Sequence, residues 1–357
     1  MSEQGTSASA SARVPAADES ARIEKTGGAT AVDRRARNPL RGAAGRNLGL
    51  VIALVLVCLV GVITAGERFA SIDNLMTILR LAAVLGVISI GMTFVITGGG
   101  IDLSVGSVIG LSSVWASTLA TQTMAQNFHW SVMVFTALAV GLGAGLVNGV
   151  LIAYGRVVAF IATLAMMVAA RGLAEMIANR QTQVVRVPAF SDVFRLQPLG
   201  VPMLVWIFAV VAVVGWVLLN RTTFGRRTVA VGGNPEAARL AGINVKRHTM
   251  YLYALVGLTA GIGGVMFLGR TTAGSSTNGL YYELDAIAAV VVGGTLLAGG
   301  RGTIVGTVLG VLIFTTLRNV FTQNNLSISA QAVAIGVIIV AAVMLQQRIA
   351  ERSRAVT

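Results

Sequence analysis

Apolar residues run along this chain in ten long blocks: 47–66, 75–97, 104–122, 131–153, 158–178, 203–220, 249–268, 283–298, 303–321 and 328–346. Most approach the roughly 20 residues a helix needs to cross the hydrocarbon core of a bilayer. The eighth is short, which predicts a segment that is tilted, bounded differently or partly re-entrant. Residues 1–46 are rich in Ser, Ala, Gly and Arg, lack apolar periodicity and read as a disordered tail. They also lack the early apolar core and cleavage site of a signal peptide, so the run 47–66 reads as an uncleaved first span. The pattern predicts an all-α, polytopic membrane protein of about ten transmembrane helices. Its domains are a cytoplasmic tail (1–46), a transmembrane domain (47–347) and a short cytoplasmic tail (348–357).

Composition narrows the class. The 357 residues are 55% hydrophobic and 11% charged, against about 25% charged in soluble domains; the mean hydropathy is +0.79. These values exclude an ordinary cytosolic enzyme and a disordered regulator. The net charge of +13 is not gathered on one soluble domain, so it indicates topology rather than a nucleic-acid partner. With the N-terminus inside, 19 Lys/Arg fall on inner segments and 5 on outer ones, which places both termini in the cytoplasm. The single cysteine, Cys58, precludes a disulfide framework or a cysteine metal cluster. With two histidines and neither H-E-x-x-H nor G-x-S-x-G, no catalytic or metal-binding residue is assigned. No proline lies inside a predicted span, while glycine reaches 42 residues, so close helix packing and helix breaks fall to glycine.

Two patterns stand out. Residues 99–110 (GGIDLSVGSVIG) and 299–310 (GGRGTIVGTVLG) agree at six of twelve positions, either as an internal repeat or as two similar glycine-rich helix starts. The longest inner loop, 220–248, carries a marked short helix near 234–243. Asn234 suits the N-cap, Pro235 the first turn and Glu236 the positive end of the helix dipole, and Gly242 suits the stop. Ala237, Leu240 and Ala241 share one small apolar face, fit for a partner's groove, with Arg226, Arg227, Lys246 and Arg247 flanking it.

Glu236-Ala237-Ala238 followed by Gly242 resembles the EAA-x-x-x-G loop of ABC transporter permeases. Three longer phrases, GMTFVITGGGIDLSVGSVIGL (91–111), AVGGNPEAARLAGI (230–243) and YYELDAIAAVVVGGTLLAGGRGTIVGTVLG (281–310), are similar to the ribose-type sugar permeases of bacterial ABC importers. The resemblance covers about residues 47–347; the Leu-Pro ending of the maltose-type loop is absent. It implies a fold of the ribose and vitamin B12 importer type in the inner membrane. It also implies a coupling helix at Asn234, Pro235, Glu236, Ala237, Ala238, Leu240 and Gly242 that fits a separate ATP-binding subunit. The further implied partners are a second permease copy, either identical or a sister, and a periplasmic or lipid-anchored sugar-binding protein. No G-x-x-x-x-G-K-[ST] loop is present, so ATP and Mg belong to the partner and the chain is a transport subunit rather than an enzyme. The cargo expected is a monosaccharide such as ribose, xylose, arabinose or galactose. The alternatives are another small polar solute (a nucleoside, an amino acid or a furanosyl signal) or ion-coupled secondary transport.

Charge within a membrane calls for a reason. Asp102 and Ser104, between the second and third spans, read as caps of the third span or as pathway groups. Glu283 and Asp285 open the eighth span. Two residues apart, they do not share a helix face, and they read as first-turn carboxylates facing the dipole or as groups at an outer mouth. Asn148 reads as an interhelical hydrogen-bonding group. Trp115 reads as core or as a surface for stacking on a sugar, and Trp130, Trp206 and Trp216 as an interfacial belt. Arg171 and Glu175 read as an i, i+4 ion pair. The outer loop 179–202 reads as a docking surface for a binding protein or as a flexible connection.

Overall fold

The computed structural model describes residues 43–338, 340 and 344. The tail assigned to 1–46 lies outside these residues except for its last four, and the tail 348–357 and the end of the tenth run also lie outside them. The helices are α1 (Ala43–Ala65), α2 (Glu67–Ala70), α3 (Ile72–Thr97), α4 (Val105–Ala116), α5 (Leu119–Asn127), α6 (Ser131–Ala153) and α7 (Ala159–Ala178). They continue with α8 (Pro188–Arg195), α9 (Met203–Arg221), α10 (Thr223–Gly233), α11 (Pro235–Leu240), α12 (Val245–Thr271), α13 (Tyr282–Val292) and α14 (Ile304–Gln323). The last is α15 (Ile328–Ile338). Seven of these, α1, α3, α6, α7, α9, α12 and α14, are long and apolar enough to cross a membrane.

Two predicted spans are only half-length helices. The run 104–122 breaks where Ser117 and Thr118 leave the helix; the Thr118 hydroxyl then caps α5 by accepting from Thr121 N at 3.3 Å. The remaining α4 has 12 residues, a rise of about 18 Å against a hydrocarbon core of about 30 Å. The run 283–298 ends at Val292, after which the backbone turns through Gly294 (φ 90), Gly299 (φ 82) and Gly300 (φ 75), conformations that suit glycine alone.

The stretch before α13 lies along α4 in the opposite direction. A Cβ on Gly274 would strike Ser117 Oγ; one on Gly110 would meet Ser276 O at 2.9 Å and Asn278 O at 3.1 Å; one on Gly106 would strike the Glu283 carboxylate. Irregular backbone at membrane depth persists only where protein surrounds it. Every residue of α4 except Trp115 is buried.

The centre is formed by α3 and α12, in which 83% and 78% of the most apolar window is buried, against 11% for peripheral α1. A helix apolar on all sides belongs in such a position. α6 packs antiparallel on α12 through glycines. A Cβ on Gly141 would meet Gly261 N at 2.6 Å, one on Gly145 would meet Gly257 Cα at 2.9 Å, and one on Gly149 would meet Met250 O at 2.8 Å. Small residues at these positions let the two backbones touch, the packing mode that replaces hydrophobic drive between helices in lipid. α3 and α14 are joined by a polar clamp. Asn74 Nδ2 donates to Asn319 Oδ1 at 3.1 Å, while Asn319 Nδ2 and Gln323 Nε2 donate to Asn74 Oδ1 at 2.7 and 3.0 Å.

The loop 179–202 is folded. β1 (Gln183–Val184) pairs antiparallel with β2 (Ala273–Gly274), and α8 buries Phe190 and Ser191.

Candidate functional site

The loop 221–247 folds as two short helices leading into α12. The Thr222 hydroxyl accepts from Gly225 N at 3.3 Å to start α10, whose buried face is Gly225, Thr228 and Val231. Thr228 Oγ1 and His248 Nε2 lie 2.9 Å apart, tying α10 to α12. Asn234 then caps α11, its Oδ1 accepting from Glu236 N at 3.0 Å and Ala237 N at 2.9 Å, with Pro235 in the first turn. α11 is shorter than the span 234–243, because Ala241 has already left helical geometry. Gly242 at φ 82 closes the end, and Ile243 N returns to Ala238 O at 3.0 Å.

The orientation of α11 is set by one small residue. Ala238 is buried against the body, which leaves Ala237, Leu240 and Ala241 exposed, Leu240 at 78%. Glu236 and Arg239 form a two-pronged pair, Nη2 to Oε1 at 2.5 Å and Nε to Oε2 at 3.2 Å. The hydrogen-bonding guanidinium holds the Glu236 carboxyl below its ordinary range. Arg226, Arg227, Lys246, Arg247 and Arg301 are also exposed. An uncovered leucine within a basic rim is a surface suited to a partner with an apolar cleft and acidic edges.

The buried carboxylates and their polar neighbours form two groups. In the first, Asp102 Oδ1 accepts from Ser104 N at 2.8 Å and from Ser104 Oγ at 2.6 Å, and Ser104 Oγ accepts from Asn148 Nδ2 at 3.0 Å. Tyr253 OH donates to Ile101 O at 3.2 Å. Asp102 thus braces the residue at the start of α4 in a local turn and does not bond the first-turn amides, and the Ser104 side chain makes no cap. Asn148 Oδ1 is buried without a partner among the described residues.

In the second group, Glu283 packs on Gly106 near the start of α4, with the Arg171 guanidinium as its electrostatic partner and Oε2 buried without a hydrogen bond among the described residues. Asp285 pairs with Arg318 of α14 instead, at 2.5 Å. Arg171 and Glu175 attract each other through space but make no close ion pair: Arg171 Nη1 donates to Asn278 O at 3.3 Å, and Glu175 faces Arg180 at 3.5 Å. The face of α7 that carries Arg171 is turned to α4, where the chain before α13 offers a carbonyl. Trp115 stands apart from both groups and, at 44% exposure, is not core.

Arg171, Tyr253, Arg318 and the Asn74–Asn319 clamp complete this network, and their partners lie too far off in sequence to be inferred from spacing. Thr222, an N-cap residue type three positions before Gly225, was the available signal for α10.

Residues 74–345 match the family described as branched-chain amino acid transport system / permease component. The chain is 41% identical to the ribose import permease protein RbsC of Escherichia coli (strain K12) over 303 residues, 84% of this chain and 92% of that one. It is 40% identical to the protein of the same name from Bacillus subtilis (strain 168) over 306 residues, 85% and 92% of the two chains. With the galactose/methyl galactoside import permease protein MglC of Escherichia coli (strain K12) it shares 34% over 313 residues, 83% and 93%. No solved structure matches significantly. A multi-pass architecture, a folded loop ending in an exposed short helix, and agreement over nearly the full length of these relatives lead to one assignment: the chain belongs to this family of ABC transporter permease components, in its ribose-type branch.

Proposed function

We propose that the chain is the membrane-spanning subunit of an ATP-driven importer for a monosaccharide, of the class ribose, xylose, arabinose or galactose. The observation that carries this reading is α11, a capped helix held by Ala238 that presents Ala237, Leu240 and Ala241 outward within a basic rim. It acts as the coupling helix: Asn234, Pro235, Glu236 and Gly242 shape it, and a separate ATP-binding subunit holds it together with ATP and Mg. The end of the bundle bearing α11 then lies in the cytoplasm with both termini. The opposite end, with α8 and the β1–β2 ladder, receives a sugar-loaded periplasmic or lipid-anchored binding protein, and a second permease copy completes the pathway. Relatives named for ribose and galactose support the cargo class.

Within the membrane, Asp102, Ser104 and Asp285 brace the half-helices. Asn148 Oδ1 and Glu283 Oε2 retain acceptor capacity for a sugar hydroxyl or water, and Trp115 supplies an aromatic face. Such a pathway needs only weak binding, because the binding protein has already selected the cargo. ATP then biases an equilibrium between inward- and outward-open states.

The test is mild isolation from the native membrane, identification of stoichiometric partners, and uptake of labelled sugars by the reconstituted complex. An ATPase, a binding protein and ATP-dependent sugar uptake are expected. Uptake that follows an ion gradient without ATP would overturn the reading. The family description favours one other arm, so branched-chain amino acids belong in the same uptake panel; their import in place of sugars would move the cargo assignment.

A further inference from the structure

The two copies of the glycine-rich echo meet in space, and the chain leading into α11 lies against both of them. Gly99 and Gly299 stand 200 positions apart and share one backbone conformation, φ 84 and 82. A Cβ on Gly299 would meet Gly99 Cα at 2.9 Å and Gly232 O at 2.7 Å. A Cβ on Gly232 would strike Thr97 O and meet Gly300 N at 2.7 Å; one on Gly300 would meet Gly233 Cα at 2.8 Å. Gly300 N donates to Thr97 O at 2.8 Å, which closes the end of α3 onto the turn before α14. Thr93 and Thr307 continue the contact one turn deeper, their hydroxyls 2.7 Å apart. Three segments of bare backbone are therefore in van der Waals contact, and the residue after the middle one, Asn234, is the cap of α11.

We infer that this glycine junction of Gly99, Gly232, Gly299 and Gly300 transmits displacement of α11 into the membrane, directly to α3 and to the turn joining α13 to α14. Side chains can change rotamer and absorb a displacement, whereas touching backbones cannot, so a push on α11 reaches both turns undiminished. Gly232 is thus a positioning residue that acts through Thr97 and Gly300. The inference rests on α11 being the helix that meets the ATPase.

The experiment uses the complete importer. Spin labels at Arg239→Cys and Ala298→Cys, both exposed and outside the face of Ala237, Leu240 and Ala241, on a Cys58→Ser background report whether α11 and the turn before α14 move together. With labelled chain diluted by unlabelled chain so that one protomer per importer carries the pair, nucleotide-free and ATP-trapped importers are expected to give the same distance distribution; a shift between the two states overturns the junction. A second arm is Gly232→Ala. The ATPase is expected to copurify as before, while stimulation of hydrolysis by loaded binding protein falls at least about fivefold. Gly143→Ala, where a Cβ meets nothing within 4 Å, is expected to keep full stimulation. Wild-type stimulation and transport in Gly232→Ala would sink the inference. If Gly232→Ala does not assemble, the label pair decides, since it leaves every junction glycine in place. A wild-type chain that retains no ATPase overturns the docking reading and this inference together, whereas a bound ATPase with separating labels overturns this inference alone.

Discussion

Asp285 on α13 receives Arg318 Nη2 from α14 at 2.5 Å, but the two partners are unequally placed: the aspartate side chain is 7% exposed and the arginine 41%. Removing Asp285 leaves an arginine with a route toward polar surroundings along its long stem. Removing Arg318 strands a buried carboxylate.

The two single variants are therefore expected to differ. Arg318→Ala is expected to destabilise the detergent-solubilised chain by about 3 kcal/mol, Asp285→Ala by clearly less, and Asp285→Asn with Arg318→Met to recover most of the loss. Thermal midpoints of the four proteins check this. Equal losses in the two single variants would show that burial of the aspartate is not what matters.

Leu240→Asp is expected to weaken ATPase binding by tenfold or more while the chain still inserts. Burying a leucine is worth about 1.5–3 kcal/mol, and the substitution replaces it with a charge. Ala238→Leu, on the buried side of the same helix, is expected to cost stability instead. Titration of purified ATPase against the two variants separates these effects.

Asp102→Ala withdraws the acceptor of both Ser104 N and Ser104 Oγ and is expected to cost about 1–3 kcal/mol. Asp102→Asn keeps an oxygen in place and is expected to retain most stability and transport. Normal folding with lost transport in Asp102→Asn would instead place the charge itself in the pathway.

Gly145→Ala would drive a methyl into Tyr253 O and Gly257 on α12, and a loss of about 1–3 kcal/mol is expected. Gly143→Ala is expected to be neutral or to stabilise by up to about 1 kcal/mol, because glycine is a poor helix former. Thermal midpoints of this pair read the seam directly.

The long helices were legible because an unbroken apolar run of about 20 residues has few other ways to hide its backbone. The start of α11 was legible too, through Asn234 and Pro235, and Gly242 marked the turn that follows its last residue, since capping is local chemistry. What hydropathy could not reveal is where an apolar run stops being helix. Ser117 and Thr118 look ordinary inside 104–122, and the break is sustained by contacts to Gly274 and Gln183, far away in sequence. The close Arg171–Glu175 contact expected from spacing is absent for a similar reason, since the guanidinium is turned to the carbonyl of Asn278, far away in sequence. The echo of 99–110 in 299–310 drew attention to Gly99 and Gly299, but their contact with each other and with Gly232 was not legible, because sequence shows where side chains are missing without showing what fills their place.

The α6–α12 seam also constrains how the molecule is made. α6 emerges from synthesis long before α12, with α7, α9 and the α10–α11 loop between them. During that interval the groove at Gly141, Gly145 and Gly149 has no backbone to fill it and must be covered by lipid or by the insertion machinery. This backbone-to-backbone seam therefore cannot close until α12 has been made, and a chain halted before α12 would leave that groove open to quality control.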